Sequence, residues 1–198
     1  MSERRMIVGV SGATGIVYAV ELLRALRDLR IESHLVVTAA GERTRAYETA
    51  LSVHEFHALA DVVYAVTDLG AALASGSFRT MGMVVAPCSI RSLSEIATGV
   101  TSNLLTRAAD VCLKERRRLV LLVRETPLHL GHLKSMAAVT EAGAIVMPPV
   151  PAFYTRPATI HDIVVHTISR VLDLFGLDTG AAPRWGEPAG ALAEAELE

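Results

Sequence analysis

The basic residues of the chain include one dense cluster that could bind an anion. The run Lys114-Glu115-Arg116-Arg117-Arg118 is rich in cations, and Arg107 lies seven residues before Lys114. Seven residues are about two helical turns, so Arg107 and Lys114 are expected on the same face of a helix. Fixed cations neutralise a phosphate through charge-assisted hydrogen bonds. For each cation taken singly, a solvated surface charge is an equally good interpretation.

A glycine-containing turn follows the first hydrophobic segment. Gly12, Ala13, Thr14 and Gly15 come after the strand-like residues 6–11 and before a helical pattern. The glycines allow a ligand to approach the backbone, the helix N-terminus favours an anion or an electron-rich ring, and Thr14 adds a hydroxyl. A purely structural turn is the alternative, because strand, glycine-rich turn and helix open many nucleotide-binding folds.

Small hydroxyl residues mark other predicted turns. They occur in residues 74–77, which include Ser75, and in Pro87-Cys88-Ser89. Ser89 is placed to cap the helix that follows it. A structural cap and a direct ligand contact are about equally good interpretations, and the two roles are compatible, since a capped helix start also attracts anions.

The end of the second predicted strand argues against an NAD-binding site. NAD-binding folds usually carry an acidic residue there for the ribose hydroxyls, whereas this chain has Thr38. The Tyr-x-x-x-Lys pair of short-chain dehydrogenases is also missing from the sequence. A hydroxyl without a carboxylate suits a mononucleotide or a phosphate better.

Composition excludes several classes of protein. A net charge of −2 over 198 residues argues against non-specific nucleic-acid binding. No apolar run reaches the roughly 18–20 residues of a membrane span, and the N-terminus does not resemble a secretory signal. Cys88 and Cys112 are too few for a disulfide framework or a metal quartet. We therefore expect a cytoplasmic protein with reduced, buried thiols.

Alternating strand and helix patterns predict how these residues are positioned. They favour an α/β fold of Rossmann-like or flavodoxin-like type, with a parallel sheet covered by helices on both faces. Residues 1–186 are expected to form one domain, followed by a tail, residues 187–198, that is mobile or packs on a neighbour. The fourth strand is expected at residues 82–86, ended by Pro87, and a helix over residues 89–115 is expected to break near Gly99.

Taken together, these segments resemble the UbiX/Pad-type flavin prenyltransferase family. The run Ala-Ala-Asp-x-x-Leu-Lys-Glu-Arg, followed by Arg-Glu-Thr-Pro-Leu, is far more specific than the glycine turn. The matching segments are residues 11–15, 74–77, 86–89, 103–110, 113–117, 124–128, 151–154 and 183–186, with Arg170.

The resemblance implies a reaction, a cofactor and partners. Such enzymes join the dimethylallyl group of dimethylallyl monophosphate to N5 and C6 of reduced FMN, without a metal. The product, prenylated FMN, passes to a UbiD-type decarboxylase. The resemblance further implies a homo-oligomer, expected to be a dodecamer, with active sites shared between subunits. In keeping with metal independence, the sequence has no Asp-rich magnesium motif.

The resemblance also implies roles for individual residues. Glu48 and Glu125 would be the carboxylates of the site, with Glu125 relaying a proton, or else forming a purely structural ion pair with Arg124 or Lys114; Thr14 and Lys114 would be catalytic too. Arg107 and Lys114 would reach in from a neighbouring subunit. The residues implied to bind FMN are Gly12, Ala13, Thr14, Thr38, Ser89, Ile90, Arg91, Ser92 and Arg124. Those implied to bind the donor are Ser75, Arg107, Lys114, Tyr154, Arg170 and Trp185.

Two residues depart from the family pattern, because Thr14 and Thr38 stand where serine is usual. Each keeps a hydroxyl but adds a methyl group and a stiffer χ1, which puts in doubt the hydrogen bond to flavin N5. Trp185 has a structural alternative too, as a residue that packs the C-terminal segment.

Two other functions remain open. A flavin-dependent cysteine decarboxylase shares the fold, but its Pro-Ala-Ser-Ala-Asn-Thr loop is replaced here by Pro87-Cys-Ser-Ile-Arg-Ser92, and the early histidine, His34, lies in a predicted strand. A non-catalytic flavin-binding paralogue would have no need of the full charged set. A new flavin mass, formed from FMN, a reductant and dimethylallyl monophosphate, would separate an active enzyme from both.

Overall fold

The computed structural model of the protein describes residues 4–182. Within that range, hydrophobic, β-branched runs form strands, and the four longest strands are buried along most of their length, as expected of a parallel sheet. The strands are β1 (Arg5–Val10), β2 (Glu32–Val37), β3 (Val62–Tyr64), β4 (Gly82–Cys88), β5 (Arg118–Val123) and β6 (Ile145–Val146). The helices are α1 (Ile16–Asp28), α2 (Ala39–Glu48), α3 (Val53–His57), α4 (Ile90–Thr98), α5 (Leu104–Lys114), α6 (Leu130–Glu141) and α7 (Ile160–Asp173).

All strand pairs of the sheet are parallel, in the order β3-β2-β1-β4-β5-β6. This order, 3-2-1-4-5-6, is that of doubly wound nucleotide-binding folds, so the predicted fold class is confirmed. The chain first builds the sheet outward from β1 through β2 and β3, and then returns to add β4 on the other side of β1. Between β1 and β4 the winding direction changes, and loops on the two sides of that point diverge to leave a crevice.

Helices cover both faces of this sheet. One face packs against α4 and α5, where Ile7, Met83 and Leu121 of the sheet join Leu105 and Ala109 of α5 in one buried core. Side chains alternate along a strand, so Met6 and Val8 point to the opposite face. There α1 packs on β1, β2 and β4.

The fourth strand is longer than the sequence predicts. Pro87 does not end it, because β4 continues to Cys88 and pairs again with Val123 of β5 after an irregularity in the register. A proline has no N–H for the ladder, and the register shift between Val85 and Cys88 is the place where it is accommodated. The Ala86–Pro87 and Thr126–Pro127 peptide bonds are cis.

The break expected near Gly99 is confirmed. Gly99 ends α4 in a left-handed conformation, with φ 71°, which glycine adopts without the steric cost of a Cβ. Asn103 then begins α5 by accepting a hydrogen bond from the backbone N–H of Thr106. The result is two separate helices that run from the end of β4 to the start of β5.

The chain divides into two compact units, the first ending at Pro149 and the second beginning at Val150. The boundary falls in the proline-rich link 148–151, and the single domain over residues 1–186 stays a prediction. Residues 187–198 of the expected tail lie outside the described residues. Across residues 4–182, no helix is both long enough and apolar enough to span a membrane.

Candidate functional site

A buried serine joins the two loops at the point where the winding direction changes. The Ser11 hydroxyl donates to the carbonyl of Pro87 at 3.0 Å and accepts from the backbone N–H of Ser89 at 2.7 Å. Its backbone N–H also donates to the Pro87 carbonyl, at 3.2 Å. Ser11 is only 1% exposed, so these bonds are shielded from water. These hydrogen bonds therefore hold the loops after β1 and β4 in a fixed relative position at the crevice.

The glycine turn lies close to the start of α2. A Cβ placed on Gly12 would collide with the side chain of Ala40, so only glycine fits there. Thr38 caps α2 by accepting from the backbone N–H of Gly41 at 3.0 Å. Gly12 and Thr14 are exposed, while Ala13 and Thr38 are partly buried. The segment thus presents backbone and hydroxyl groups beside the crevice, as the sequence analysis expects.

Glu48 occupies the N-terminus of α1. Its carboxylate accepts from the backbone N–H of Gly15 at 2.9 Å and from that of Ile16 at 2.9 Å. Two helix-start amides and the positive end of the helix dipole already stabilise this carboxylate. This helix start is a predicted anion site, and the anion there is the side chain of Glu48. A phosphate of a ligand is therefore better placed elsewhere.

The N-terminus of α4 is the alternative anion site. Ser89 caps it, accepting from the backbone N–H of Ser92 at 3.3 Å, and the first turn of the helix carries no acidic residue. Arg91 extends along the helix surface, where its Nε donates to Glu95 at 2.9 Å. Because helix starts leave amide N–H groups without intrahelical acceptors, Ile90 and Arg91 offer backbone donors to a ligand.

The end of β5 contributes Arg124 and Glu125 to the same edge of the sheet. The backbone N–H of Arg124 donates to the carbonyl of Cys88 at 3.1 Å, which fixes this loop beside the end of β4. Both side chains are exposed, and Glu125 accepts a local hydrogen bond from the N–H of Thr126 at 3.0 Å. Their exposure leaves both groups able to contact a ligand.

A second group of candidate residues surrounds the segment 74–78, which precedes β4. Arg107 donates from Nε to the carbonyl of Ala74 at 3.3 Å and pairs with Asp110 at 2.6 Å. The Ser75 and Ser77 hydroxyls are 2.8 Å apart, and both side chains are exposed. The segment and the face of α5 that carries Arg107 form what we call the serine–cation cluster, which consists of Ser75, Gly76, Ser77, Arg107 and Lys114.

Lys114 completes the serine–cation cluster at the end of α5. It forms an ion pair with Glu115, and a Cβ on Gly76 would lie 2.8 Å from the Lys114 ammonium. The hydrogen bond and charge of Lys114 hold the pKa of Glu115 below its ordinary value. Lys114 and Arg107 therefore contact the same segment, in keeping with their two-turn spacing.

The two groups of residues lie toward opposite edges of the sheet in one chain. Ser11, Ser89 and Arg124 follow the carboxyl ends of their strands, whereas Lys114 precedes the start of β5. A strand of six or seven residues spans about 20 Å at roughly 3.3 Å per residue. One chain therefore does not bring Lys114 to the crevice beside Ser89.

The second unit contains two further residues that are predicted to bind the prenyl donor, Tyr154 and Arg170. Its Tyr154 hydroxyl lies 3.4 Å from Nε2 of His166, and Arg170, one turn further along α7, pairs with Asp173. Burial, followed by the charge of Arg170, lowers the pKa of His166. Tyr154 and Arg170 therefore flank one buried histidine.

Three of these structural roles are absent from the sequence predictions. Ser11 joins two loops, Arg117 binds the carbonyls of Gly76 and Phe78, and His166 contacts Tyr154. Only Ser11 has a signal in the sequence, as a polar residue at the end of an apolar strand. Trp185 lies outside the described residues.

The two cysteines lie in settings that suppress their reactivity. Cys88 and Cys112 are free and buried, and burial raises the pKa of each thiol to about 12. Neither thiol is therefore a nucleophile near neutral pH. Within residues 4–182, no group of three or more His, Cys, Asp or Glu side chains could hold a metal.

Similarity to known proteins is high over most of the chain. A family model described as Flavoprotein matches residues 1–172. A flavin prenyltransferase UbiX of Neisseria meningitidis is 55% identical over 182 residues, which cover 92% of this chain and 96% of that one. The mitochondrial flavin prenyltransferase PAD1 of Saccharomyces cerevisiae is 47% identical, covering 92% of this chain and 75% of that one.

Solved structures agree with the fold. AnUbiX (PadA1), crystallised with FMN and dimethylallyl pyrophosphate, superposes with a TM-score of 0.91 at 49% identity, covering 92% of this chain and 97% of that one. A dodecameric FMN-dependent UbiX-like decarboxylase from Escherichia coli O157:H7 gives 0.89 at 47% identity, with coverages of 91% and 98%. The peptidyl-cysteine decarboxylase EpiD gives 0.62 at 14% identity, covering 87% and 98%, which shows a shared fold alone.

Proposed function

The chain belongs to the UbiX-type flavin prenyltransferases of the flavoprotein family, and from this premise we propose its reaction in full. It joins the dimethylallyl group of dimethylallyl monophosphate to N5 and C6 of reduced FMN and needs no metal. The observation that carries the proposal is the serine–cation cluster, in which Ser75, Arg107 and Lys114 surround one glycine-containing turn. Such a cluster can neutralise a departing phosphate.

The crevice at the end of β1 and β4 fits a flavin mononucleotide. Gly12 leaves no side chain between the backbone and a ligand, and the capped start of α4 offers amide donors. The residues proposed to hold FMN are Gly12, Ala13, Thr14, Thr38, Ser89, Ile90, Arg91, Ser92 and Arg124. Reduced FMN, when bound, supplies the nucleophilic N5 and the C6 position.

The serine–cation cluster binds the donor phosphate. Lys114 and Arg107 provide positive charge, and Ser75 and Ser77 provide hydroxyl donors. As the resemblance implies, Tyr154 and Arg170 are also proposed to bind the donor phosphate, and Trp185 the prenyl chain. Charges fixed before the reaction stabilise the leaving phosphate dianion without reorganising.

Two carboxylates have separate proposed roles, one as a fixed negative charge and the other in proton transfer. Glu48, held by the amides of Gly15 and Ile16, places a negative charge beside the glycine turn. Glu125, exposed at the end of β5, is proposed to relay a proton jointly with the departed phosphate: it would accept the proton lost from C6, and the prenyl double bond would gain one as the ring closes. The Thr14 hydroxyl is proposed to form a hydrogen bond with flavin N5.

The two halves of the site come from different subunits. In one chain, the crevice and Lys114 lie toward opposite edges of the sheet, so a neighbouring copy must supply Arg107 and Lys114. A dodecamer, as described for the Escherichia coli O157:H7 relative, is the assembly we propose. Prenylated FMN would then pass to a UbiD-type decarboxylase in the cytoplasm.

The test is product formation under anaerobic conditions. The protein is incubated with FMN, dithionite and dimethylallyl monophosphate, with EDTA present, and the flavin is examined by mass spectrometry. We expect a flavin heavier by one C5H8 unit and unaffected by EDTA. An unchanged flavin mass would contradict the proposed function, and product that requires added Mg²⁺ would contradict metal independence. Dimethylallyl diphosphate, tested in parallel, decides the donor.

A further inference from the structure

The segment 74–78 lies outside the sheet, yet it carries Ser75 and Ser77 of the serine–cation cluster. Its backbone carbonyls are bound by two arginine side chains. Arg107 takes the carbonyl of Ala74, and Arg117 takes both that of Gly76 and that of Phe78, the latter at 2.6 Å. One guanidinium thus spans the turn that contains Ser77.

The chain reversal after α5 aims Arg117 at this turn. Arg116 adopts a left-handed conformation, with φ 56°. The N–H of Arg117 then donates to the carbonyl of Cys112 at 2.8 Å, and that of Arg116 to the carbonyl of Leu113 at 3.1 Å. These two bonds form a Schellman motif, with arginine at the position where glycine is usual. The motif fixes the backbone of Arg117 between α5 and β5.

Phe78 holds the far end of the segment. Arg5 stacks over its ring, with the guanidinium carbon 4.8 Å from the centroid, and the buried ring of His34 meets it edge-on at 5.2 Å. Arg117 therefore binds the turn at Gly76 and also Phe78, whose ring is already held by Arg5 and His34. Without the Arg117 guanidinium, the Ser75–Ser77 turn would keep its anchors at Ala74 and Phe78 but lose both hydrogen bonds from Arg117.

We propose that Arg117 is a positioning residue for the donor phosphate, since it holds Ser75 and Ser77 at a fixed distance from Lys114. This inference rests on the proposed function, because the serine–cation cluster is taken as the donor site. Arg117 donates from Nη1 to the carbonyl of Phe78 and from Nη2 to that of Gly76, so its proposed effect on the phosphate passes through the turn. The binding of flavin, at the other edge of the sheet, is independent of it.

The experiment compares Arg117→Met with the wild-type protein. Methionine keeps much of the aliphatic length of arginine but removes the guanidinium. We expect the KM for dimethylallyl monophosphate to rise at least about tenfold, as loss of charge-assisted hydrogen bonds implies, with kcat and FMN affinity nearly unchanged. We also expect the rise in Tm that inorganic phosphate gives the wild-type protein to be lost in Arg117→Met.

Two further variants serve as controls. Arg79→Met removes a nearby exposed charge, so KM and the phosphate-induced rise in Tm should keep their wild-type values. Arg117→Lys can bind one of the two carbonyls and should give an intermediate KM; it also replaces Arg117→Met if that variant does not fold.

Three results would overturn the inference. They are an unchanged KM with an unchanged phosphate-induced rise in Tm, an equal loss of FMN affinity, or an equal effect of Arg79→Met. Absence of product from the wild-type protein would contradict the proposed function instead. The role of Arg117 in phosphate binding would then be decided by the phosphate-induced rise in Tm, compared between the wild-type protein and Arg117→Met.

Discussion

The crevice between β1 and β4 and the serine–cation cluster at the end of α5 are built in different ways. The crevice is held by hydrogen bonds of a buried serine, Ser11, and by close backbone packing at Gly12. The cluster consists of hydroxyl and charged groups, with the exposed Lys114 beside Gly76 and the partly buried Arg107 on the carbonyl of Ala74. One region is shaped by packing, and the other by electrostatics.

This difference indicates how the two regions respond to mutation. A change in the crevice removes buried hydrogen bonds and lowers the free energy of unfolding. A change in the cluster removes a solvated charge, which affects stability little but weakens the binding of an anion. The four predictions that follow, from the largest effect to the smallest, test that separation.

Lys114→Met should have the largest effect. Loss of one charged hydrogen bond to phosphate costs about 1.5–3 kcal/mol, so kcat/KM for the donor should fall by roughly 10- to 100-fold. FMN affinity and Tm should stay near the wild-type values, because Lys114 is exposed. Steady-state kinetics, flavin fluorescence titration and thermal unfolding measure the three quantities. A large fall in Tm would show that Lys114 is structural.

Ser11→Ala should act on stability first. The substitution leaves the partly buried N–H of Ser89 without the Ser11 hydroxyl as its acceptor, which costs about 1–3 kcal/mol. Urea unfolding should show this loss, and FMN affinity should fall with it. Ser135→Ala, which removes only a 3.5 Å contact with Ser94, is the matched control. Equal stability of the two variants would contradict the role of Ser11.

Arg116→Gly should stabilise the protein. Arg116 has φ 56°, and glycine adopts this conformation without the penalty of about 1 kcal/mol that a side chain carries. The free energy of unfolding should rise by about that amount, with an unchanged KM for the donor. A decrease would show that the Arg116 side chain contributes contacts that outweigh the strain.

The smallest effect is expected from pH. Burial lowers the pKa of His34 below its ordinary value of 6.5, and the charges of Glu32 and Arg5 act on it in opposite senses. The His34 side chain therefore binds a proton more readily in the unfolded chain than in the folded protein. The contribution of neutral, buried His34 to the free energy of unfolding is complete above about pH 6.5. It is lost as the pH falls toward the folded-state pKa. Urea unfolding of His34→Gln should show a weaker pH dependence across that range.

Part of this architecture is predictable from local sequence. Alternating patterns indicate the parallel sheet, and Ser89 and Gly99 mark the start and end of α4. The extension of β4 through Pro87 is not predictable in this way, because it depends on pairing of Cys88 with Val123 of the neighbouring strand. Local rules exclude proline from a ladder, and tertiary pairing overrides them.

The candidate site likewise contains features that local sequence predicts and features that depend on contacts between distant residues. The contact of Arg107 and Lys114 with one segment follows from helical spacing. The seat of Glu48 on the start of α1 joins residues 33 positions apart, and the bond between Arg117 and Phe78 joins residues 39 apart. Such contacts depend on how distant elements pack, and no local pattern carries that information.

The central claim, that each active site takes its flavin half from one subunit and its donor half from another, is tested most directly by mixing impaired variants. Thr14→Val should bind FMN without prenylating it, and Thr14→Ser should be at least as active as the wild-type protein. Lys114→Met should keep roughly a tenth to a hundredth of the wild-type kcat/KM. If sites are shared, assembly of equal amounts of Thr14→Val and Lys114→Met chains restores intact sites, about one in four by random assortment. We predict that prenylated FMN forms in the mixed assembly at well above the sum of the separate activities. Activity no greater than that sum, in assemblies shown to contain both chains, would contradict the account.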